Sequence, residues 1–285
     1  MNIAIFNGFK FHYEMFGYII DYCKTKSYNL DIYTPTSFDL GWLDFYKKIF
    51  TINIIDSNNF PYEKNNYNKI ILATDDDKVF LNKGSHLDKT ICIDHYTGLR
   101  NKSIRIHIGT RFFTTRPELD WILPVYRLIK VEDKIKNSTI VCIGRFIPIN
   151  FTNFNNFKNN NFILINRSIN SRNYEKYDNI TCYSQMNTSH MIDILKTASY
   201  VLVTDINKDH IDKSMSASIP LALNCLCTLI LPKKMNDIYK FKSAITYEDK
   251  INLIEPNIEL VNEDLDDLLK HRDSIFDKYL LTQTA

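Results

Sequence analysis

The sequence predicts an α/β fold of two similar halves followed by a long C-terminal helix. Three observations predict it. Short apolar runs alternate with segments of helical period, as parallel strands joined by helical crossovers do. The alternation stops at the charged stretch Glu132–Asn137 and then restarts. The final amphipathic pattern, about Asn262–Leu281, outlasts every helical pattern before it.

Asn2–Phe6 is expected as the first strand, followed by the turn Asn7-Gly8-Phe9-Lys10. The helix after it places Phe16, Ile19, Ile20 and Cys23 on one face, at i, i+3, i+4 and i+7. A strand at Asn29–Tyr33 and a helix at Gly41–Phe50 come next. Strands then follow at Thr51–Ile55, Lys69–Thr74, Thr90–Asp94 and Ser103–Ile108, and Trp121–Val131 completes the first half. In the second half, Ser138–Ile143 reads as a strand ending in Gly144-Arg145, and an Asn/Phe-rich loop leads to strand Phe162–Ile165. Strands at Asn179–Cys182, Tyr200–Thr204, Thr228–Leu231 and Ala244–Tyr247 complete it, with a helix at Ser189–Thr197. The terminal helix carries Leu265, Leu268, Leu269, Ile275, Phe276, Tyr279 and Leu280 on its apolar stripe. Its acids lie early and Lys270, His271 and Arg272 later, matching the helix dipole. These divisions set residues 1–136 and 137–260 as two domains, with 261–285 packing across or back onto them.

Composition narrows the function. A formal charge of +2, spread along the chain, offers no footprint for nucleic acid. No apolar run reaches the ~18 residues that span a bilayer, and Met1–Gly8 reads as a strand rather than a leader. The six cysteines form no C-x-x-C pair, so buried reduced thiols and a cytoplasmic protein are expected. All seven glycines lie at or before Gly144, and neither a dinucleotide fingerprint nor a P-loop occurs. Nicotinamide dehydrogenases and P-loop nucleotidases thereby lose most of their support.

Two Rossmann-like halves facing each other would bind ligands at the carboxyl ends of their strands. His12, on the helical face of Phe16, Ile19 and Cys23, reads either as a general base, a role that near pH 7 needs a neutral imidazole, or as a capping or packing histidine. Glu14 falls on the opposite face and reads as solvated. Asp75-Asp76-Asp77 follows a strand and could hold a divalent metal, cap a helix or orient a sugar hydroxyl. Asp94-His95 also ends a strand, where His95 either serves the cleft or is a hydrogen-bonded core residue. Arg145 and Arg167 each follow a second-half strand, and guanidinium forks suit a pyrophosphate or a structural ion pair. The segment from Lys213 to Pro232 reads as a hydroxyl-rich loop with Ser214, Ser216 and Ser218, a short helix opening at Pro220, and a buried strand. Small residues feeding a helix N-terminus suit an anion, here a diphosphate.

The opening Phe6–Glu14, the strand ends Thr74–Asp77 and Ile93–Tyr96, and Ser216–Leu223 with its following strand together resemble glycosyltransferases of the GT-B architecture. The resemblance is especially to short enzymes encoded by large DNA viruses. The resemblance implies a hexosyl- or pentosyltransferase working in the host cytoplasm or virion. The second half would grip a nucleotide-sugar, a UDP or GDP sugar, through Gly144, Arg145, Arg167, Lys213, Ser214, Ser216 and Ser218. The first half would take a glycan or glycoprotein acceptor against Gly8, Phe9, Lys10 and Arg100. His12 would deprotonate the acceptor hydroxyl, with Asp76 and His95 beside it, and neither cofactor nor metal is implied. Retaining members often carry an acid in the helix after the phosphate loop. Leu221-Ala-Leu-Asn-Cys225 has none, which favours an inverting enzyme. Rival readings are a metal-dependent GT-A-type transferase using Asp75–Asp77, a sugar-nucleotide epimerase, and a non-enzymatic carbohydrate-binding or virion protein.

Overall fold

A computed structural model describes residues 1–37, 39–63, 66–74, 80, 86–95, 103–135, 137–144, 159–166, 169, 174–175, 177–204, 215–248 and 250–281. The chain divides into two compact units. One comprises Met1–Tyr126, Asp212–Met215 and Leu268–Ala285, the other Arg127–Ile211 and Ser216–Asp267.

The first unit is built on β1 (Asn2–Phe6), β2 (Asn29–Tyr33), β3 (Asn53–Ile55), β4 (Lys69–Leu72), β5 (Thr90–Asp94) and β6 (Ile106–Gly109). They pair in parallel, in the order β3-β2-β1-β4-β5-β6. Because helices and loops cover both faces of such a sheet, its central strands are buried throughout, as β4 and β5 are here. An aromatic cluster of Phe6, Phe60, Tyr62 and Phe80 fills one face, with ring centroids 4.9–6.1 Å apart. Helix α1 (Gly17–Thr25) begins at a glycine because Tyr126 lies against it. A Cβ there would come within 2.3 Å of the tyrosine ring. Helix α2 (Trp42–Ile49) buries Trp42, Leu43, Phe45 and Tyr46 and leaves Lys47 and Lys48 in its last turn.

The second unit contains β7 (Ile140–Ile143), β8 (Phe162–Asn166), β9 (Ile180–Ser184), β10 (Tyr200–Leu202), β11 (Thr228–Pro232) and β12 (Ile245–Tyr247). These also run parallel, in the order β12-β11-β10-β7-β8-β9. Counted from its own first strand, this is the order of the first unit. Each sheet is therefore doubly wound and reverses direction between its first and fourth strands, β1/β4 and β7/β10, where such sheets open a crevice. Helix α3 (Thr188–Thr197) is capped by Asn187, whose side chain accepts the Ser189 N–H at 2.9 Å. Helices α4 (Ser218–Asn224) and α5 (Lys233–Tyr239) flank β11. Lys134 is buried and donates to the carbonyls of Leu195 (2.9 Å), Ala198 (2.6 Å) and Cys225 (2.8 Å), closing off the C-terminal ends of α3 and α4.

The terminal helix α6 (Ile258–Leu281) contributes to each unit separately. Within the second, buried Asp264 accepts the N–H groups of Lys242 (3.1 Å) and Ser243 (2.9 Å), and Arg127 donates to Asn262 at 2.6 Å and pairs with Asp266. Within the first, buried Arg272 pairs with Asp21 at 2.8 Å and donates to the Val125 carbonyl at 3.0 Å, while Asp277 accepts from Tyr22 and Lys26. No helix among the described residues is long and apolar enough to cross a membrane.

Boundaries moved where turns intervene. The first helix starts at Gly17, because a 3-10 turn at Tyr13–Met15 uses up the residues before it. The helix expected to open at Pro220 opens at Ser218, with the proline still inside the first turn where its missing N–H is tolerated. Trp121–Val131 pairs only through a single bridge from Trp121 to Gly109, followed by a 3-10 turn at Val131–Asp133.

Candidate active site

In the first unit the chain leaves β1 through Asn7, which is fully buried. Its Nδ2 donates to the carbonyls of Phe9 (3.1 Å) and Phe11 (3.0 Å), and its Oδ1 accepts the Phe9 N–H at 3.2 Å. That clamp curls residues 8–12 over the end of the strand. The curl ends at His12, held at φ 66°, a left-handed conformation that costs a non-glycine residue strain. His12 therefore stands ahead of a 3-10 turn, five residues before α1, and the helical-wheel position expected for it does not apply.

The left-handed turn brings Glu14 to the same side as His12. Glu14 Oε1 lies 3.5 Å from His12 Nδ1, so the carboxylate expected to be solvated faces the imidazole instead. Burial pushes the Glu14 carboxyl up. The hydrogen bond and charge of His12, its own backbone amide and His95 outweigh that, and the acid is held below its ordinary value. His95 follows β5, and its ring stacks on His12 with centroids 4.8 Å apart and planes at 22°. The Nε2–H of His95 donates to the Ala73 carbonyl at 2.9 Å, just past β4. Burial first, then the repulsion a protonated His12 would exert, lowers the His95 pKa to about 4. His95 is thus a neutral, buried ring, while the His12 side chain is 32% exposed. Of the two rings His12 is the more exposed, with Nδ1 turned to Glu14. The three residues come from the ends of β1 and β5, astride the reversal point of the sheet.

Beneath His95 lies a second charged group. Asp94 is fully buried and accepts from His107 Nδ1 at 3.0 Å and from Arg116 at 3.2 Å. The other His107 nitrogen donates to the Ile104 carbonyl at 3.0 Å. Burial pulls the His107 pKa down, yet the Asp94 hydrogen bond and charge and the Ile104 carbonyl raise it overall. Ligand atoms of Cys92, Asp94 and His107 lie within 4.8 Å of one another, which suggests a cation site. The donor set fits a protonated imidazole better. Both ring nitrogens already face acceptors, and Arg116 supplies Asp94 with a further positive charge.

The remaining first-unit residues picked out from the sequence are placed as follows. Gly8 and Phe9 are half-buried and Lys10 exposed, all in the Asn7-clamped curl. Asp75, Asp76 and Asp77, with Arg100, lie outside the described residues. In the second unit Gly144 follows β7 at φ +90°, where only glycine is unstrained, with open space above its Cα. Ser216 and Ser218 hydrogen-bond one another at 2.8 Å between their hydroxyls. The Ile219 and Leu221 amides are already bonded to the carbonyls of Ser216 (3.1 Å) and Ala217 (3.4 Å), and Pro220 has none. At Pro220, where the row of amides was expected to begin, the flanking amides are therefore already engaged. Arg145, Arg167, Lys213 and Ser214 lie outside the described residues. Sequence reasoning missed the Glu14–His12 contact, the Asn7 clamp and the pairing of His107 and Arg116 with Asp94. A carboxylate two residues from a candidate base was the available signal for the first.

No family model and no curated protein sequence matches the chain. Solved structures do. AviGT4, a glycosyltransferase involved in avilamycin A biosynthesis, is 10% identical with a TM-score of 0.66, covering 99% of both chains. An α-glucosyltransferase in complex with UDP is 10% identical with a TM-score of 0.57, over 98% of this chain and 95% of that one. The UDP-GlcNAc 2-epimerase of Methanocaldococcus jannaschii, in complex with UDP-GlcNAc and UDP, is 8% identical with a TM-score of 0.51, over 99% and 100%. The chain shares with them the fold of two doubly wound units.

Proposed function

We propose that this protein is a glycosyltransferase that moves a sugar from a nucleoside diphosphate donor to an acceptor hydroxyl, with inversion and without a metal. The observation that carries the proposal is the Glu14–His12–His95 group at the reversal point of the first sheet. It joins a reachable imidazole to a carboxylate on one nitrogen and a neutral ring on its face. A fold shared with glycosyltransferases, one of them in complex with UDP, supports it.

In this reading His12 Nε2 takes the proton of the acceptor hydroxyl as that oxygen attacks the anomeric carbon. The bond from the anomeric carbon to the diphosphate oxygen breaks on the opposite side, and the diphosphate leaves with the electron pair. Glu14 stabilises the imidazolium that forms, which later releases its proton to solvent. The hydroxyls of Ser216 and Ser218, with Arg145, Arg167, Lys213 and Ser214, are the groups assigned to the departing diphosphate. Helix α4 carries no carboxylate, which fits inversion.

The test is thermal stability with UDP, GDP and their sugars, in the presence and absence of EDTA. A nucleoside diphosphate that raises the melting temperature by mass action, unaffected by EDTA, is expected. No shift with any nucleotide refutes the proposal, and a shift lost on chelation refutes its metal-free form. The second reading is a sugar-nucleotide epimerase, favoured by the fold shared with such an enzyme. Turnover of a nucleotide-sugar with no acceptor present would establish it.

A further inference from the structure

Large exposed hydrophobics are few among the described residues, and one of them is Phe11, 45% exposed and next in sequence to His12. Its position is built. Asn7 pins the Phe11 carbonyl at 3.0 Å, Phe9 stacks against the ring at 5.5 Å and 22°, and His12 meets it edge-on at 5.5 Å and 86°. An aromatic ring so held, with its remaining surface in solvent, forfeits burial unless something docks on it. We propose that Phe11, backed by Phe9, is the stacking platform for a pyranose ring of the acceptor, which it holds beside His12. The proposal rests on the transferase reading above and names its acceptor class.

The chemistry favours a sugar. One face of a pyranose is a patch of C–H bonds, polarised by the ring oxygens, that suits the negative face of an aromatic ring. Its rim of hydroxyls would then lie near His12, whose ring centroid is 5.5 Å from that of Phe11. A nucleobase could also stack, but it would bring phosphates. Residues 8–12 hold a single cation, Lys10, on a chain of net charge +2.

Saturation-transfer NMR tests this on the full-length protein, using methyl β-glucopyranoside and methyl β-galactopyranoside as probes, glucitol as the open-chain control and oligothymidylate as the stacking rival. The wild type should transfer saturation to the axial ring protons of at least one pyranoside and much less to glucitol. Phe11→Ala should lower that transfer about fivefold or more, and Phe11→Trp should retain it. An unchanged melting temperature in Phe11→Ala, expected for an exposed side chain, excludes misfolding. Transfer unaffected by Phe11→Ala, no transfer to either pyranoside, or preference for oligothymidylate overturns the platform. UDP stabilisation is measured in parallel. Its absence with stacking intact removes the transferase reading and leaves a sugar-binding surface, whereas its presence without stacking removes only the platform.

Discussion

The imidazoles of His12 and His95 lie face to face, with centroids 4.8 Å apart, and among the described residues it is the His12 ring that has a carboxylate, Glu14, within ion-pair reach of its Nδ1. Two stacked imidazoles so close cannot both be protonated at little cost. His95 is the one kept neutral, because it is buried and its Nε2 proton is committed to the Ala73 carbonyl. That asymmetry fits the proposed division of roles, with His12 as the base and His95 as an uncharged ring packed on its face.

Replacing His12 with alanine should therefore lower turnover about 100-fold or more while leaving donor affinity nearly intact. Glu14→Gln should cost less, because it removes the charge that stabilises the imidazolium but keeps the side-chain volume. Its diagnostic is kcat, which should fall while donor affinity holds, because the charge is needed only once the imidazolium forms. Steady-state rates from pH 5 to 9 check both. A wild-type kcat in Glu14→Gln would mean that the contact is structural only.

Stability should respond to pH through two histidines of opposite sign. The folded-state pKa of His95 lies below its unfolded value of about 6.5, so below that pH the unfolded chain binds the extra proton. Stability should fall between pH 6.5 and about 4, by up to about 3 kcal/mol, and His95→Gln should flatten that limb. His107 has a raised pKa in the fold. Its contribution is complete below about pH 6.5 and is lost as pH rises through the folded value. Denaturant midpoints across pH 4–9 for wild type, His95→Gln and His107→Asn separate the two. Parallel curves for all three would contradict the assignment.

Ser216 is assigned to the diphosphate through its hydroxyl, which meets Ser218 at 2.8 Å. Ser216→Asp would place a negative charge where another must bind, and should abolish stabilisation by UDP. Titration calorimetry decides. Unaltered binding would remove this segment from the donor site.

Lys134 holds three main-chain carbonyls from within the second unit. Methionine preserves most of the side-chain volume but donates nothing, leaving those buried oxygens without their ammonium. Lys134→Met should destabilise by about 3 kcal/mol, read as a lower urea midpoint. An unchanged midpoint would show that water takes over the role.

Much of the fold was legible along the chain, and the reason is burial. A strand covered on both faces must be apolar almost throughout, so Ile70–Leu72, Ile91–Ile93 and Leu229–Leu231 announced themselves without any partner in view. Boundaries beside turns were less legible. The αL turn at His12 delayed the first helix and brought Glu14 to the side where a helical wheel had placed only His12.

By itself, the amino-acid sequence determined two runs of alternating strands and helices, a break between them, and a histidine just beyond the first strand. Those are local properties, written in the period and polarity of neighbouring residues. Tertiary structure alone decided that His12 stacks on His95, 83 positions away, that His107 and Arg116 share Asp94, and that Lys134 meets carbonyls from two helices. Such contacts join residues far apart in the chain. They exist only once parallel strands have brought their carboxyl ends side by side, and no local pattern encodes that pairing.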